Sequence, residues 1–353
     1  MNRCLQLAAL AAGNTAPNPM VGAVLVHEGR IIGEGYHKVY GQPHAEVNCI
    51  ASVNKKDEDR IIKSIMYVSL EPCAHFGKTP PCADLIIRHS IPTVVIGCRD
   101  PFTEVDGKGI EKLKAAGIEV IANVLEEECK ALNRRFFTFH TKHRPYIILK
   151  WAQSNDGIIG NAGDNRLHIS NAYTNRLVHK WRSEEAAILV GTNTALLDDP
   201  SLTVRLWPGK DPVRLVLDLE LRLPHHLHLF DNAVTTIVFN RIQNTIESFN
   251  DIKNGENKTW YYQITSDVSI VHQIINALYH LRIQSVLIEG GAKLLQSFID
   301  EGMWDEARVI TNENLEAGEG IRAPALSSFH SIQNEHLFSD RVVYYSNNQS
   351  LPL

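Results

Sequence analysis

The chain has 353 residues, 44% hydrophobic and 21% charged, which is ordinary globular material and enough for two domains. A formal net charge of −5, with no Lys/Arg cluster longer than pieces such as Asn133-Arg134-Arg135, argues against a polynucleotide partner, whose phosphates call for a basic track. No run of about 18 apolar residues occurs, so neither a membrane span nor a membrane partner is expected.

Residues 1–12 carry one Arg and an alanine-leucine run with a superficial likeness to a signal peptide. Gln6 interrupts a stretch already too short for a signal core, so a first helix is expected. Residues 20–36 read as a hairpin, with 21–26 and 31–35 flanking the turn His27-Glu28-Gly29-Arg30. A helix follows from about residue 44, and strands at 64–70 and 93–98 alternate with helical segments near 82–89, 107–116 and 124–133. That alternation is the α/β pattern. The mixed basic and aromatic stretch 133–145 ends in Pro145, after which a strand begins at 146–150. The domain boundary is placed there, giving domains 1–143 and 144–353. Further on, a buried-type strand at 186–190 ends in Gly191-Thr192, and another at 285–288 ends in Glu289-Gly290-Gly291 before a helical run at 292–299. Strand, glycine turn and helix suit an anion, because the backbone can approach it and the helix start offers N–H donors. By itself the pattern is most often only a tight turn, and no GxGxxG fingerprint supports an ordinary dinucleotide-binding Rossmann unit.

Catalytic chemistry is written in the first half. His44-Ala45-Glu46, then Pro72-Cys73, then Cys82 supply three zinc ligands and one proton carrier. Zinc on one His and two Cys keeps a fourth position for water and lowers its pKa from about 15.7 towards about 7, while a carboxylate beside the metal shuttles protons in nucleobase deaminases. Each piece alone has a bland reading: His-x-Glu as a solvated helix start, cysteines as small buried hydrophobes. Their settings favour chemistry, since Pro43 precedes His44 and Pro80-Pro81 precedes Cys82, marking helix starts where free N–H groups favour thiolate. The remaining cysteines, Cys4, Cys49, Cys98 and Cys129, show no disulfide-framework spacing, which points to a reducing cytoplasm.

The runs Thr15-Ala-Pro-Asn-Pro-Met-Val-Gly-Ala-Val, Pro43-His-Ala-Glu-Val and Glu71-Pro-Cys-Ala-His-Phe-Gly-Lys-Thr-Pro-Pro-Cys82 closely resemble the bifunctional deaminase-reductases of riboflavin biosynthesis. The second half resembles their reductase independently, through Lys150-x-Ala-x-Ser-x-Asp-Gly157, the helix with His179 and Arg182, Asp198-Asp-Pro-Ser-Leu-Thr-Val-Arg205 and Glu289-Gly-Gly. The resemblance implies a cytidine-deaminase-like three-layer α/β/α domain followed by a dihydrofolate-reductase-like α/β domain. It also implies zinc and NADPH as cofactors and a small phosphoribosylated pyrimidine as substrate, in an enzyme able to form homo-oligomers. Zinc-dependent removal of the 2-amino group of a diaminopyrimidinone would precede reduction of its ribosyl group to ribityl.

Carried over by position, Asn18, His37, His75, Lys78 and Asp100 line the deaminase pocket. In the reductase, Ala152, His168, Thr194, Asp198, Gly291, Ala292 and Lys293 hold NADPH, while Arg166, Arg182, Leu202, Arg205 and Glu289 hold substrate. Forked guanidinium donors suit a phosphate, although solvated surface charge is the competing reading for Arg166 and Arg205. Lys150 and Asp198 are the polar groups assigned to the reacting centre, and Lys150 reads equally well as a strand-end charge. Three departures stand out: His168 in place of a usual Trp, Phe102-Thr103 in place of Asn-Pro, and Arg166 in place of a small residue. The chain begins inside the family's first helix, so a few residues are expected to precede it. Two rival readings are a nucleoside or base deaminase with an appended binding domain, and a non-catalytic zinc protein. A closed structural zinc site, however, wants four protein ligands and has no use for Glu46.

Overall fold

The computed structural model describes residues 1–76, 80–161, 167–246, 248–254 and 258–348, so Lys78 and Arg166 lie outside the described residues. It divides into two compact units, Met1–His143 and the chain from Arg144 onward. Among the described residues no helix is long and apolar enough to cross a membrane.

The first unit runs α1 (Asn2–Ala9), β1 (Gly22–His27), β2 (Arg30–Tyr36), α2 (Ala45–Ala51), β3 (Ile65–Leu70), α3 (Cys82–Arg88), β4 (Thr93–Cys98), α4 (Lys108–Ala115), β5 (Glu119–Ile121), α5 (Glu126–Leu132) and α6 (Arg134–Lys142). Its sheet has the order β2-β1-β3-β4-β5. The β2-β1-β3 part is antiparallel and β3-β4-β5 is parallel. Alternation along the strands separates two buried faces. Ala23, Leu25, Met66, Val68, Val94 and Ile96 pack with Ala45 and Cys49 of α2, Ala83 and Ile86 of α3 and Leu113 of α4. Val24 lies on the opposite face with Cys4 and Leu7 of α1, giving three layers.

The stretch read as a boundary segment is largely helical, because Phe136, Phe137 and Phe139 fall on the buried side of α6 while its basic residues cluster elsewhere. A 3-10 turn at Lys55–Lys63 and the short β5 also lie outside the expected elements.

The second unit contains β6 (Tyr146–Ser154), β7 (Ile158–Gly160), α7 (Ala172–Glu184), β8 (Ala187–Gly191), α8 (Thr192–Asp198), β9 (Val213–Leu217), β10 (Thr236–Asn240), α9 (Phe249–Asn254), β11 (Thr259–Gln263), α10 (Ile270–His280), β12 (Ser285–Ile288), α11 (Ala292–Asp300), β13 (Glu306–Asn312), β14 (Ile321–Arg322), β15 (Phe329–Leu337) and β16 (Asp340–Asn347). Its main sheet has the order β11-β10-β9-β8-β12-β6-β13-β16-β15. The seven strands from β11 to β13 are mutually parallel, and β16 and β15 add antiparallel strands.

β6 lies between β12 and β13, and its alternate residues serve two cores. Ile147, Leu149 and Trp151 pack with α10 and α11, whereas Tyr146 and Ile148 pack with Val178 and Trp181 of α7. Period-two alternation therefore turns Lys150 and Ala152 to the α7 side. The parallel strands bring their carboxyl ends to one edge, where open α/β sheets bind ligands. Residues Gly191-Thr192 and Glu289-Gly290-Gly291 stand at that edge, after β8 and β12.

Candidate active site

In the first unit, the loop leaving β3 carries Cys73, while the starts of α2 and α3 carry His44 and Cys82. His44 caps α2 with extended backbone, φ −69° and ψ 168°, so it is not yet helical. That break allows His44 and the buried Glu46, only two residues apart, to converge, which regular helical positions would not.

The donor atoms of His44, Cys73 and Cys82 lie within 4.8 Å of one another. His44 Nδ1 is 3.6 Å from Cys73 Sγ and 3.4 Å from Cys82 Sγ. Zn–S bonds of about 2.3 Å and Zn–N bonds of about 2.0 Å put N and S about 3.5 Å apart in a tetrahedron, so the donor set fits zinc. Cys73 Sγ also accepts the Cys82 backbone N–H at 3.3 Å. Hydrogen bonding from the Cys82 thiol, and secondarily from His44, outweighs burial and draws the Cys73 thiol down to about 4. Burial, reinforced by Cys73, pushes the Glu46 carboxyl up, the direction a proton carrier needs.

Asn18 Nδ2 lies 3.2 Å from His37 Nε2, and His37 Nδ1 lies 3.1 Å from the Pro43 carbonyl oxygen. The His37 ring meets the His44 ring edge-on at 5.4 Å, so Asn18 and His37 join the His44–Cys73–Cys82 group. Burial lowers the His37 pKa, favouring the neutral ring. Asp100 is buried, and burial raises its carboxyl to about 7. Its Oδ1 accepts the Phe102 N–H at 2.8 Å. Phe102 contacts His75 on one side and His140 on the other, with ring centroids 6.1 and 5.1 Å away. His75 Nδ1 is buried with no hydrogen-bond partner among the described residues.

Sequence reasoning passed over Glu71, whose carboxylate accepts backbone N–H bonds from Asp100, Gly107, Gly109 and Ile110 at 2.9–3.2 Å. It ties the Cys73 loop to the exit of β4 and the start of α4. An acidic residue two positions before Cys73 was the available signal; its partners, 29 to 39 residues away, were not.

In the second unit, Glu289 is the centre of a buried ion cluster. Arg182 donates to it through Nε at 3.0 Å and Nη2 at 2.7 Å, and Lys150 Nζ lies 3.8 Å away. Burial alone would raise the Glu289 carboxyl; Arg182 and Lys150 hold it at about 2. Arg182 Nη1 also donates to the Thr203 carbonyl at 3.4 Å, and Arg205 Nη1 donates to Thr203 Oγ1 at 3.2 Å. Lys150, Arg182, Glu289 and Arg205 thus form one connected group.

Thr194 sits against the turn before α11, where a Cβ on Gly290 would stand 3.2 Å from its Cγ2. Both turn glycines have positive φ, 112° at Gly290 and 74° at Gly291, and Ala292 and Lys293 open the helix behind them. Ala152 is half-buried on the α7 side of β6, and His168 and Asp198 are exposed. Leu202, expected among the residues that hold substrate, has its side chain in the core. Only 2% exposed, it packs among Ile188, Val190, Ala195 and Val216, leaving its backbone, at φ 51°, as the part a ligand could meet.

Comparison with known proteins places this geometry. Residues 1–98 match the cytidine and deoxycytidylate deaminase zinc-binding region, and residues 145–312 match the RibD C-terminal domain. The riboflavin biosynthesis protein RibD of Aquifex aeolicus is 40% identical over 98% of this chain and 97% of its own length. The Escherichia coli protein of the same name is 33% identical over 87% of this chain and 84% of its own. The crystal structure of a diaminohydroxyphosphoribosylaminopyrimidine deaminase/5-amino-6-(5-phosphoribosylamino)uracil reductase from Thermotoga maritima is 38% identical and superposes with a TM-score of 0.85, covering 98% of this chain and 97% of that one. The Acinetobacter baumannii RibD structure gives a TM-score of 0.86 at 30% identity, with the same coverage. With relatives matched almost end to end, a zinc-type deaminase region in one half and a reductase region in the other, the chain belongs to the RibD family of bifunctional riboflavin biosynthesis enzymes, deaminase and reductase in a single polypeptide.

Proposed function

We propose that residues 1–143 hydrolyse the 2-amino group of 2,5-diamino-6-(5-phosphoribosylamino)pyrimidin-4-one, and that residues 144–353 reduce the ribosyl group of the product to ribityl with NADPH. The convergence of His44, Cys73 and Cys82 beside buried Glu46 is the observation that carries the first step. His44, Cys73 and Cys82 would hold zinc, which when bound acts as a Lewis acid and brings the pKa of water to about 7. In the reaction, water oxygen bonds to C2, the C2–N bond breaks and ammonia leaves. Glu46 carries one proton from water to the ring nitrogen and the second, released as the C2 carbonyl forms, to the departing amine. Asn18, His37, His75, Lys78 and Asp100 hold the substrate, and the His37–Pro43 contact also orients the segment entering His44.

For the second step, the sugar opens to an imine, C1′ accepts hydride and the nitrogen gains a proton. NADPH supplies the hydride. Thr194, Gly291, Ala292 and Lys293, with Ala152, His168 and Asp198, would hold it. Arg205 and Arg166 take the substrate phosphate, Leu202 contributes backbone, and Lys150 and Asp198 serve proton transfer at the sugar. Arg182 and Glu289 shape the site as a paired unit. The same reading makes the partner a small phosphorylated pyrimidine, with no nucleic acid or membrane involved, in a cytoplasmic enzyme that can form homo-oligomers.

Two assays test the halves separately. Ammonia release without NADPH reports the first. A fragment beginning at Arg144, given deaminated substrate and either NADPH or NADH, reports the second. Failure of the folded fragment to consume either cofactor would overturn the reductase assignment and leave a deaminase with an appended binding domain. Equal use of both cofactors would refute only the preference for NADPH.

A further inference from the structure

His179 lies on the buried side of α7, 6% exposed, beside the ion cluster around Glu289. Its Nδ1 stands 3.0 Å from the backbone nitrogen of Arg205. A peptide N–H can only donate, so Nδ1 is the lone-pair nitrogen and the ring is the neutral tautomer with its proton on Nε2. The surroundings agree: burial first, then the charges of Arg182 and Arg205, lower the His179 pKa to about 4.

This contact is one of several by which α7 grips the segment 203–209. Arg182 Nη1 holds the Thr203 carbonyl at 3.4 Å. The guanidinium of Arg176 and the ammonium of Lys180 lie over the Trp207 ring, 5.5 and 5.7 Å from its centroid. Gly209, at φ 153°, runs so close to α7 that a Cβ there would meet Ser183 Cβ at 2.5 Å. The loop is closed on itself where the Val204 N–H donates to Asp211 Oδ1 at 2.6 Å. Residues 176, 179, 180 and 183 share one helix face at three- and four-residue spacing, so α7 acts as a template along which the loop is laid. Within this grip the Arg205 contact fixes a residue whose exposed guanidinium is held by Thr203 Oγ1 at one nitrogen and has its remaining donors on the exposed side.

We propose that His179 is a positioning residue for the reductase: by accepting the Arg205 backbone N–H it sets the direction in which the Arg205 guanidinium meets the substrate phosphate. The inference rests on the reductase reading above and deepens it. A grip on a non-reacting phosphate contributes to ground-state and transition-state binding alike, so its loss moves KM and leaves kcat nearly unchanged.

The experiment uses the full-length chain and compares His179→Leu, which keeps bulk and removes the acceptor, with His179→Asn, whose side-chain oxygen can stand where Nδ1 stands. Reductase kinetics are measured with deaminated substrate and NADPH, inorganic phosphate is titrated as a competitive inhibitor, and thermal denaturation together with the KM for NADPH serves as the internal check on folding of the reductase unit. Expected for His179→Leu are a KM for the phosphorylated substrate raised about tenfold, phosphate inhibition weakened by a similar factor, and kcat and the KM for NADPH within about twofold of wild type. His179→Asn should recover most of the loss. An unchanged KM and phosphate inhibition in His179→Leu, or a fall in kcat that His179→Asn does not repair, would overturn the positioning role. Wild-type enzyme that consumes no NADPH with this substrate would instead remove the reductase reading on which the proposal stands.

Discussion

Substituting Gly109 by Ala sets helix propensity against sterics and lets the structure decide. Gly109 occupies the second position of α4, where Ala would ordinarily favour the helix by about 1 kcal/mol. Here the added Cβ would stand 2.0 Å from the Pro72 carbonyl oxygen and 3.2 Å from Glu71 Oε1. Ordinary contact begins near 3.4 Å, so Pro72 or the start of α4 must retreat by about 1.4 Å, and neither is a flexible side-chain end. Overpacking costs about 1–3 kcal/mol, and loosening the charged bonds from Gly109 and Ile110 to Glu71 costs about 1.5–3 kcal/mol more. The net expectation, after the propensity gain, is a destabilisation of about 1.5–5 kcal/mol. Because Cys73 follows Pro72 directly and metal sites tolerate ligand shifts of only about 0.2 Å, zinc retention should fall together with ammonia release. Thermal denaturation, metal analysis and ammonia assay on one preparation check this. A Gly109→Ala protein that melts higher than wild type, keeps one zinc per chain and releases ammonia normally would show that the Pro72–Gly109 contact does not hold the metal loop.

Cys73→Ser and Cys82→Ser proteins should lose stoichiometric zinc and ammonia release while NADPH oxidation continues; full zinc content in both would refute the ligand assignment. Glu46→Gln should keep its metal and lose ammonia turnover by about 100-fold or more, the range of general acid-base catalysis, whereas unchanged turnover would eliminate it as proton carrier. Arg182→Lys replaces a two-bond fork on Glu289 by a point charge, so NADPH oxidation should drop by about tenfold or more while ammonia release stays normal. His140, between Phe102 and Phe136, has its pKa lowered to about 4 from 6.5, mainly by burial. Between those values the unfolded chain binds the proton that the folded chain refuses, so this residue makes stability fall as pH drops from 6.5 towards 4. The melting temperature of His140→Phe should decline less steeply over that interval, and identical slopes would refute the assignment.

The metal cluster was legible in the sequence because its parts are locally marked. Prolines announce the helix starts at His44 and Cys82, and zinc chemistry restricts what a His, two Cys and an unligated Glu can be doing together. The hairpin, the parallel strands and the helix after Gly291 were legible for the same reason, through turn residues and periodicity. What escaped depends on partners far along the chain. Glu71 is a bare acidic residue until four amides from the 100–110 segment are folded onto it, and His179 gains meaning only when Arg205 arrives beside it. Leu202, a position in a recognisable motif, carries its side chain into the core, so only its backbone is left to meet a ligand. In α6, basic residues in the sequence obscured three phenylalanines that bury one side of a helix.

Glu71 also separates two events that many small metalloproteins combine, acquiring a shape and acquiring a metal. Its carboxylate takes four backbone N–H bonds that tie the Cys73 loop to the 100–110 segment, and the core beneath is built from apolar side chains. A cell short of zinc would therefore accumulate a dormant deaminase, not a misfolded one, and could awaken it by later supply without new synthesis. Chelation followed by readdition of the metal should accordingly be a reversible on-off control of ammonia release.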